Sequence, residues 1–329
     1  MITVYAQENG KLTRSEHRDG MALPASARWI DVDTCTADEV TRLEQLLHIK
    51  LPPVREVRLI EQQRQYYADR KALYITLPIV VSSQSSNPVT GALVVVVTPQ
   101  FLITLRQSES RAIANYAEHL SKHAPQLATS STAFVGLVEA IVGRLADLGE
   151  NVSYQMEQVS RIAFLDSLQR AKTPGGGKAD SWSKVLQGLG STARLNHRAL
   201  DALAGLDRML AFLQQQGGSY LDAESLKRLS QLQTDINHLT SQSQSMVNEA
   251  TFMLDAIVGA ISIEQNNVIK IFSMVSVILM PPTMVASIYG MNFTHMPELA
   301  LPWAYPAALV LMLISAILPW WWFKRNGWF

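Results

Sequence analysis

Between Asp255 and Asn292, steps of three and four residues collect Asp255, Gly259, Ser262, Asn266, Ile269, Ser273, Ser276, Met280, Thr283, Ser287 and Gly290 on one face of a helix. Asn266, Ser273, Met280 and Ser287 recur every seven residues, as do Ser262, Ile269, Ser276 and Thr283, the seam spacing of a helical bundle. Two kinds of chemistry suit such a face. One is close packing, because Ser, Thr and Gly let membrane helices approach. The other is a water-contacting pore wall. A two-helix hairpin cannot enclose a pore, so the second reading requires a homo-oligomer with this face turned to the axis. The stripe alone leaves both open. The remaining faces carry Phe272, Val275, Ile278, Leu279 and Val285, which suit lipid or neighbouring helices.

Other chemistry-bearing residues do not form sites. Gly175-Gly176-Gly177-Lys178 lacks the earlier glycine of a phosphate loop, has Ala179 where Ser or Thr belongs, and follows no strand, so it reads as an interhelical turn. His119 and His123 sit one helical turn apart without a third ligand, as on a solvated helix face. No Ser/His/Asp or Cys/His arrangement can be argued from spacing, so an enzyme is not expected.

The stripe belongs to a chain whose charge is unevenly placed. The 28 Lys+Arg balance the 28 Asp+Glu, which argues against non-specific nucleic-acid binding. Residues 271–329 hold only Glu298, Lys324 and Arg325 among charged types. Ile271–Tyr289 and Trp303–Phe323 carry no charge at all. Each is long enough to cross roughly 30 Å of hydrocarbon. Trp320-Trp321-Trp322 followed by Lys324 and Arg325 is interface chemistry, with Trp303 and Tyr305 at the opposite interface. Lys270, Lys324 and Arg325 flank the spans, while the connector Phe293–Pro302 has no Lys or Arg. The positive-inside rule therefore places both termini in the cytoplasm. Cys35 is the single cysteine, as suits a reducing compartment, and Met1–Lys11 does not read as a cleavable signal peptide.

Three regions follow: an α/β domain over 1–128, long helices and a stalk over 129–270, and a two-helix membrane domain over 271–329. Thr36-Ala37-Asp38-Glu39 reads as a capping box opening a helix to about His48. Leu73–Val81, Ala92–Val97 and Phe101–Leu105 read as strands of a mainly hairpin-connected sheet. Ala133–Ala171 and Ser181–Gln216 read as helices, divided by Thr173-Pro174-Gly175-Gly176-Gly177. From Asp222 to Pro281 there is no Pro and only Gly259, so a helix of about 60 residues, roughly 90 Å long, is expected to run into the first span. Pro281-Pro282 is expected to disturb the backbone ladder in mid-span.

Tyr289-Gly290-Met291-Asn292 ends the first span, and Met296-Pro297-Glu298-Leu299 follows in the connector. With Ile263-Glu264-Gln265-Asn266 and Pro281-Pro282-Thr283 upstream, the whole layout resembles the CorA family of magnesium transporters. The resemblance implies an α+β cytoplasmic domain with a long stalk, two transmembrane helices, and a homopentameric channel for Mg²⁺, with Co²⁺ and Ni²⁺ as further ions. It implies an outer selectivity ring of Gly290, Met291 and Asn292, with Asn292 meeting the hydrated ion. Thr283 and Met280 would line the pore and Asn266 its inner mouth. Phe272 and Ile269 would form a hydrophobic constriction, and under the pore reading Ser273, Ser276 and Ser287 complete the wall. Glu298 would attract cations outside and Asp255 would sit at the cytoplasmic entrance. The family's C-terminal basic cluster is reduced here to Lys324 and Arg325.

A ring of neutral amides and carbonyls suits Mg²⁺, which sheds its water reluctantly, because it can hydrogen-bond the ion's shell without holding it tightly. No cofactor is expected. Mg²⁺ is expected as substrate and, through carboxylates between neighbouring soluble domains, as the ligand that closes the channel. Asp222, Glu224 and Asp235 are the nearby candidates. A proton-coupled zinc transporter of the ZntB type is the nearest rival, and Met291 favours magnesium over it. A non-transporting, membrane-anchored signalling protein would leave the stripe as helix packing.

Overall fold

The run Leu93-Val94-Val95-Val96-Val97 has no polar position, which in a strand means burial on both faces. In the computed structural model this run lies in the middle of a seven-stranded sheet. The structure describes residues 1–8, 11–17, 23–34, 36–52, 65–81, 88–123, 129–163, 178–291, 296–297 and 301–327. Cys35, the break at 173–177, Asn292 and Glu298 lie outside these residues. The chain divides into two compact units, Met1–Leu254 and Asp255–Phe329.

In the first unit the strands are β1 Ile2–Glu8, β2 Lys11–Glu16, β3 Ala27–Asp33, β4 Tyr66–Ala68, β5 Leu73–Val81, β6 Val89–Val97 and β7 Leu102–Arg106. Their order across the sheet is β2-β1-β3-β7-β6-β5-β4. All neighbours are antiparallel except β3 and β7, where Trp29 pairs with Leu102 in parallel. Helix α1, Ala37–Leu47, carries the expected capping box: the Thr36 side chain accepts the Glu39 amide at 3.4 Å and the Glu39 carboxylate accepts the Thr36 amide at 2.8 Å. Its Val40 and Leu43 pack with Ile30, Val32, Val94, Val96, Ile103 and Leu105 on one side of the sheet.

The other side is covered by α2 Arg111–His123, α3 Ser130–Arg161, α4 Lys178–Gln216 and the first part of α5, Ala223–Tyr289. Leu93, Val95 and Val97 point there, the alternate residues of the same strand. Leu226, Leu229, Leu232, Ile236, Leu239 and Met246 form the apolar stripe by which α5 joins this core. Helix α4 crosses β5 at Gly205, where a Cβ would stand 2.5 Å from Pro78 Cδ. Only a glycine permits that approach, and the Tyr66 hydroxyl donates to the Gly205 carbonyl at 2.8 Å beside it.

A polar chain crosses β3 and β7. Trp29 Nε1–H donates to Thr104 Oγ1 at 3.0 Å, and Thr104 Oγ1 donates to Asp31 Oδ1 at 2.7 Å. Arg106 reaches both Asp31 and Asp33 at 3.0 Å. The pairing holds the Arg106 guanidinium above its ordinary pKa even though burial opposes its charge.

In the second unit, α5 continues to Tyr289 and α6 spans Ala304–Arg325. Among the described residues these are the two helices long and apolar enough to cross a membrane. Helix α5 runs through Pro281 and Pro282 without a break. Each proline removes one N–H, which leaves the carbonyls of Val277 and Ile278 without their usual ladder partners, but helical φ is native to the ring. The expected disturbance is thus a loss of hydrogen bonds and not an interruption.

Candidate functional site

The polar stripe lies on the uncovered side of α5. Asp255, Gly259, Ser262, Asn266, Ile269, Ser273, Ser276, Met280, Thr283, Ser287 and Gly290 are all exposed. The shielded positions of the span are Met274, Ile278, Pro281, Pro282 and Val285, about half a turn away around the helix. The chain therefore does not spend the stripe on covering itself. Whatever meets those side chains comes from outside the described chain, as water, lipid or another copy.

Three hydroxyls of the stripe are fixed by their own helix. Ser262 Oγ donates to the Val258 carbonyl at 3.0 Å, Ser276 Oγ to Phe272 at 2.9 Å and Thr283 Oγ1 to Leu279 at 2.8 Å. Oxygen-bearing stretches alternate with apolar ones along the same face. Ile269 is 62% exposed and Met280 70% exposed, and Phe272, at the edge of the stripe, is 71% exposed.

At the top of the helix the backbone loosens at the tripeptide. Gly290 N–H still donates four residues back, to Ala286 at 3.0 Å, whereas Met291 N–H donates only three back, to Ile288 at 3.2 Å. A Cβ on Gly290 would stand 3.2 Å from the Ala286 carbonyl, a tight contact that glycine avoids. Asn292 and Glu298 are outside the described residues.

The soluble candidates do not converge. Asp222 caps α5: its Oδ1 accepts the Ser225 amide at 2.7 Å, and that bond holds its carboxyl below the ordinary aspartate range. Glu224 lies exposed in the first turn and Asp235 exposed three turns on. Among the described residues no group of three or more His, Cys, Asp or Glu could hold a metal. His119 faces a cavity of about 500 Å³ with Glu139, Arg144, Asp147 and Arg228, and two of the Arg228 contacts to Glu139 are 2.7 and 2.8 Å. The side chain of His123 is outside the description.

One legible feature was missed in the sequence: residues 229–269 contain Asp235, Glu249, Asp255 and Glu264 but no Lys or Arg. The approach to the first span is thus negative along its whole length, a property that shows only when charges are counted by sign along α5.

Taken together, a soluble α/β unit and a long helix that continues into the first of two apolar spans define a two-span membrane protein. Residues 24–325 match the CorA-like Mg²⁺ transporter protein family, and the chain belongs to that family. Similar proteins include the magnesium transport protein CorA of Pasteurella multocida, 31% identical over 328 residues with both chains covered in full. The protein of the same name from Escherichia coli strain K12 is 29% identical over 328 residues, again with both covered in full. The complete structure of the CorA magnesium transporter from Methanocaldococcus jannaschii matches with a TM-score of 0.76 at 19% identity, covering 100% of this chain and 99% of that one, a likeness of fold.

Proposed function

We propose that this chain forms a homopentameric channel in the inner membrane that admits Mg²⁺, with Co²⁺ and Ni²⁺ as further ions, and that both termini are cytoplasmic. The observation that carries the reading is the uncovered polar face of α5, which ends at Gly290-Met291-Asn292 in a chain that matches the transporter family over 24–325. In this reading Gly290, Met291 and Asn292 form the outer filter. Asn266, Ser273, Ser276, Thr283 and Ser287 line the path, and Ile269, Phe272 and Met280 form its apolar narrows. Glu298 and Asp255 draw cations to the two mouths.

The energy source is the membrane potential. About 100 mV, inside negative, favours entry of a divalent ion by roughly 4.6 kcal/mol, twice the single-charge value. A neutral oxygen-lined path preserves that drive, because it holds the hydrated ion only weakly. Closure follows when internal Mg²⁺ binds carboxylates between neighbouring soluble domains, with Asp222, Glu224 and Asp235 as the candidates.

Mg²⁺ entry into liposomes holding the purified protein, under an imposed inside-negative potential, tests the assignment. Wild type should admit Mg²⁺ and Asn292→Ala should lose at least about tenfold of that flux, the equivalent of 1.4 kcal/mol of stabilisation at the filter. Equal entry in both would move the filter elsewhere. Zn²⁺ entry that follows a pH gradient in place of the potential would favour the zinc reading.

Asp222 needs two variants, because its role as cap is separable from its charge. Asp222→Ala should cost about 0.5–2 kcal/mol of stability, and Asp222→Asn, which still caps, much less. The cap's charge-dependent part works above the ordinary aspartate pKa and fades as pH falls through the lowered value of the folded chain. If Asp222 also senses Mg²⁺, the Asn variant will unfold like wild type yet close at higher internal Mg²⁺. Unchanged closure would remove Asp222 from the regulatory set.

A further inference from the structure

The C-terminal end of α6 carries a second arrangement, apart from the polar stripe of α5. Lys324 lies four residues after Trp320 and Arg325 four after Trp321, so each cation shares a helix face with a ring. Lys324 Nζ stands 5.1 Å from the centre of the Trp320 ring, and Arg325 Cζ stands 5.4 Å from that of Trp321. Both are inside the range of about 6 Å in which a ring face attracts a cation. All three tryptophans are exposed, while Phe323 between them and the cations is buried and meets Trp322 edge-on at 5.4 Å.

Neither cation is engaged otherwise. Among the described residues, neither Lys324 nor Arg325 forms an ion pair or donates a side-chain hydrogen bond. The helix end does not need them, since the Asn326 amide donates to the Trp322 carbonyl at 3.2 Å and the Gly327 amide to that of Lys324 at 3.3 Å. Gly327, at φ +68, adopts the left-handed conformation common at a helix C-terminus. No acidic residue occurs after Glu298, so the side chains of the last 31 residues carry two positive charges and no negative one. A ring face satisfies a cation's charge but accepts few of its N–H groups, which remain free to donate outward.

We propose that this end of α6 is a binding site for the phosphate of an anionic phospholipid, with Lys324 and Arg325 as donors and Trp320 and Trp321 as the platforms that hold them in place. Charge complementarity selects the occupant: two cations with no acidic partner among the described residues, at the headgroup level, meet a lipid that carries a phosphate and a net negative charge. The rings shorten the list of positions each long side chain visits, so less freedom is lost when the phosphate arrives. The guanidinium fork of Arg325 can take two phosphate oxygens at once, and the ammonium of Lys324 acts as a point charge beside it. The proposal rests on α6 crossing a membrane, and not on which ion the protein carries.

Full-length protein in phosphatidylcholine vesicles, doped with brominated phosphatidylglycerol or with brominated phosphatidylcholine at equal fraction, provides the test through tryptophan quenching. A Trp303→Phe background removes the reporter at the other interface. The brominated anionic lipid should quench at a mole fraction on the order of fivefold lower than the neutral one, the value of about one cation near the surface. Lys324→Gln with Arg325→Gln, checked for an unchanged oligomer, should erase the preference, and Lys324→Arg should keep it. Trp320→Leu with Trp321→Leu should halve it at least, with Trp322 as reporter. Equal quenching by both lipids in the parent protein would overturn the proposal, as would a preference indifferent to the Gln pair. A preference unchanged in the Leu pair would overturn the aromatic platforms. Displacement by millimolar inorganic phosphate would assign the site to free phosphate in place of lipid. Mg²⁺ entry measured on the same vesicles separates the two readings: lost entry with the preference intact strikes the channel assignment alone.

Discussion

In the proposed channel, Phe272→Asn combined with Met280→Asn should raise Mg²⁺ entry by a factor on the order of ten to a hundred at internal concentrations expected to close the wild type. Phe272 and Met280 are 71% and 70% exposed at the two ends of an eight-residue interval, about 12 Å of helix, with Ser273 and Ser276 between them. In the proposed assembly around the face of α5, each would contribute an apolar ring that bars the path by excluding water. Asparagine offers a carbonyl oxygen and an amide at the same place, so the barrier to a hydrated ion falls. A fall of about 1.4–2.7 kcal/mol gives the stated factor. The measurement is Mg²⁺ entry into liposomes preloaded with Mg²⁺, at fixed potential, for wild type, each single variant and the pair. A pair that closes as the wild type does would take these two residues out of the gate.

Arg106→Leu should destabilise the soluble unit by about 3–5 kcal/mol, the usual cost of removing one partner of a buried ion pair. The Asp31 side chain is only 6% exposed, and its charge is answered by Arg106 and by the hydroxyl of Thr104. Asp33, on the same strand, shares the guanidinium but keeps access to water. Leucine matches the bulk of the arginine stem and leaves the Asp31 carboxylate unpaired. Adding Asp31→Asn to Arg106→Leu should recover part of the loss, because the uncompensated charge and not the missing contact dominates. Thermal unfolding of the detergent-solubilised protein, followed by size exclusion after heating, gives the order wild type, double variant, Arg106→Leu. Equal midpoints for the two variants would show that charge is not the cause.

The parts that were plain in the sequence are those where one physical signal dominates. The spans were plain because 59 residues from 271 to 329 carry three charges. The strand Leu73–Val81 has the expected ends, and its neighbour extends back from Ala92 to Val89. The third shifts by one residue to Leu102–Arg106, since Phe101 is taken by the turn in which its amide donates to Thr98 Oγ1 at 3.0 Å. β1, β2 and β3 escaped notice because Lys11–Glu16 is an edge strand rich in polar residues and Asp31 interrupts the apolar pattern of Ala27–Asp33. The polar interruption is the Arg106 network, whose partner lies 75 positions away, and no local pattern announces it. Likewise the third helix starts at Ser130, three residues before Ala133, because Thr129 caps it and its small residues Ser130 and Ser131 carry no helical periodicity. The stripe on α5 was visible by counting; that it faces away from the chain's own shielded side required three dimensions.

The back-bonded hydroxyls of α5 have a consequence for permselectivity. Ser262, Ser276 and Thr283 each point their only proton into the helix, at 3.0, 2.9 and 2.8 Å from a carbonyl. A wall built from them offers lone pairs and no donors. In the proposed path, a chloride ion at these three positions would find no side-chain donor to replace the hydrogen bonds of bulk water, whereas the water shell of a cation, with its protons outward, would meet acceptors there. At these three levels of the proposed path, discrimination by sign would rest on the placement of protons rather than of charges. This contribution does not titrate, because serine and threonine hydroxyls neither gain nor lose a proton in the ordinary range of pH, so it would persist wherever α5 stays helical.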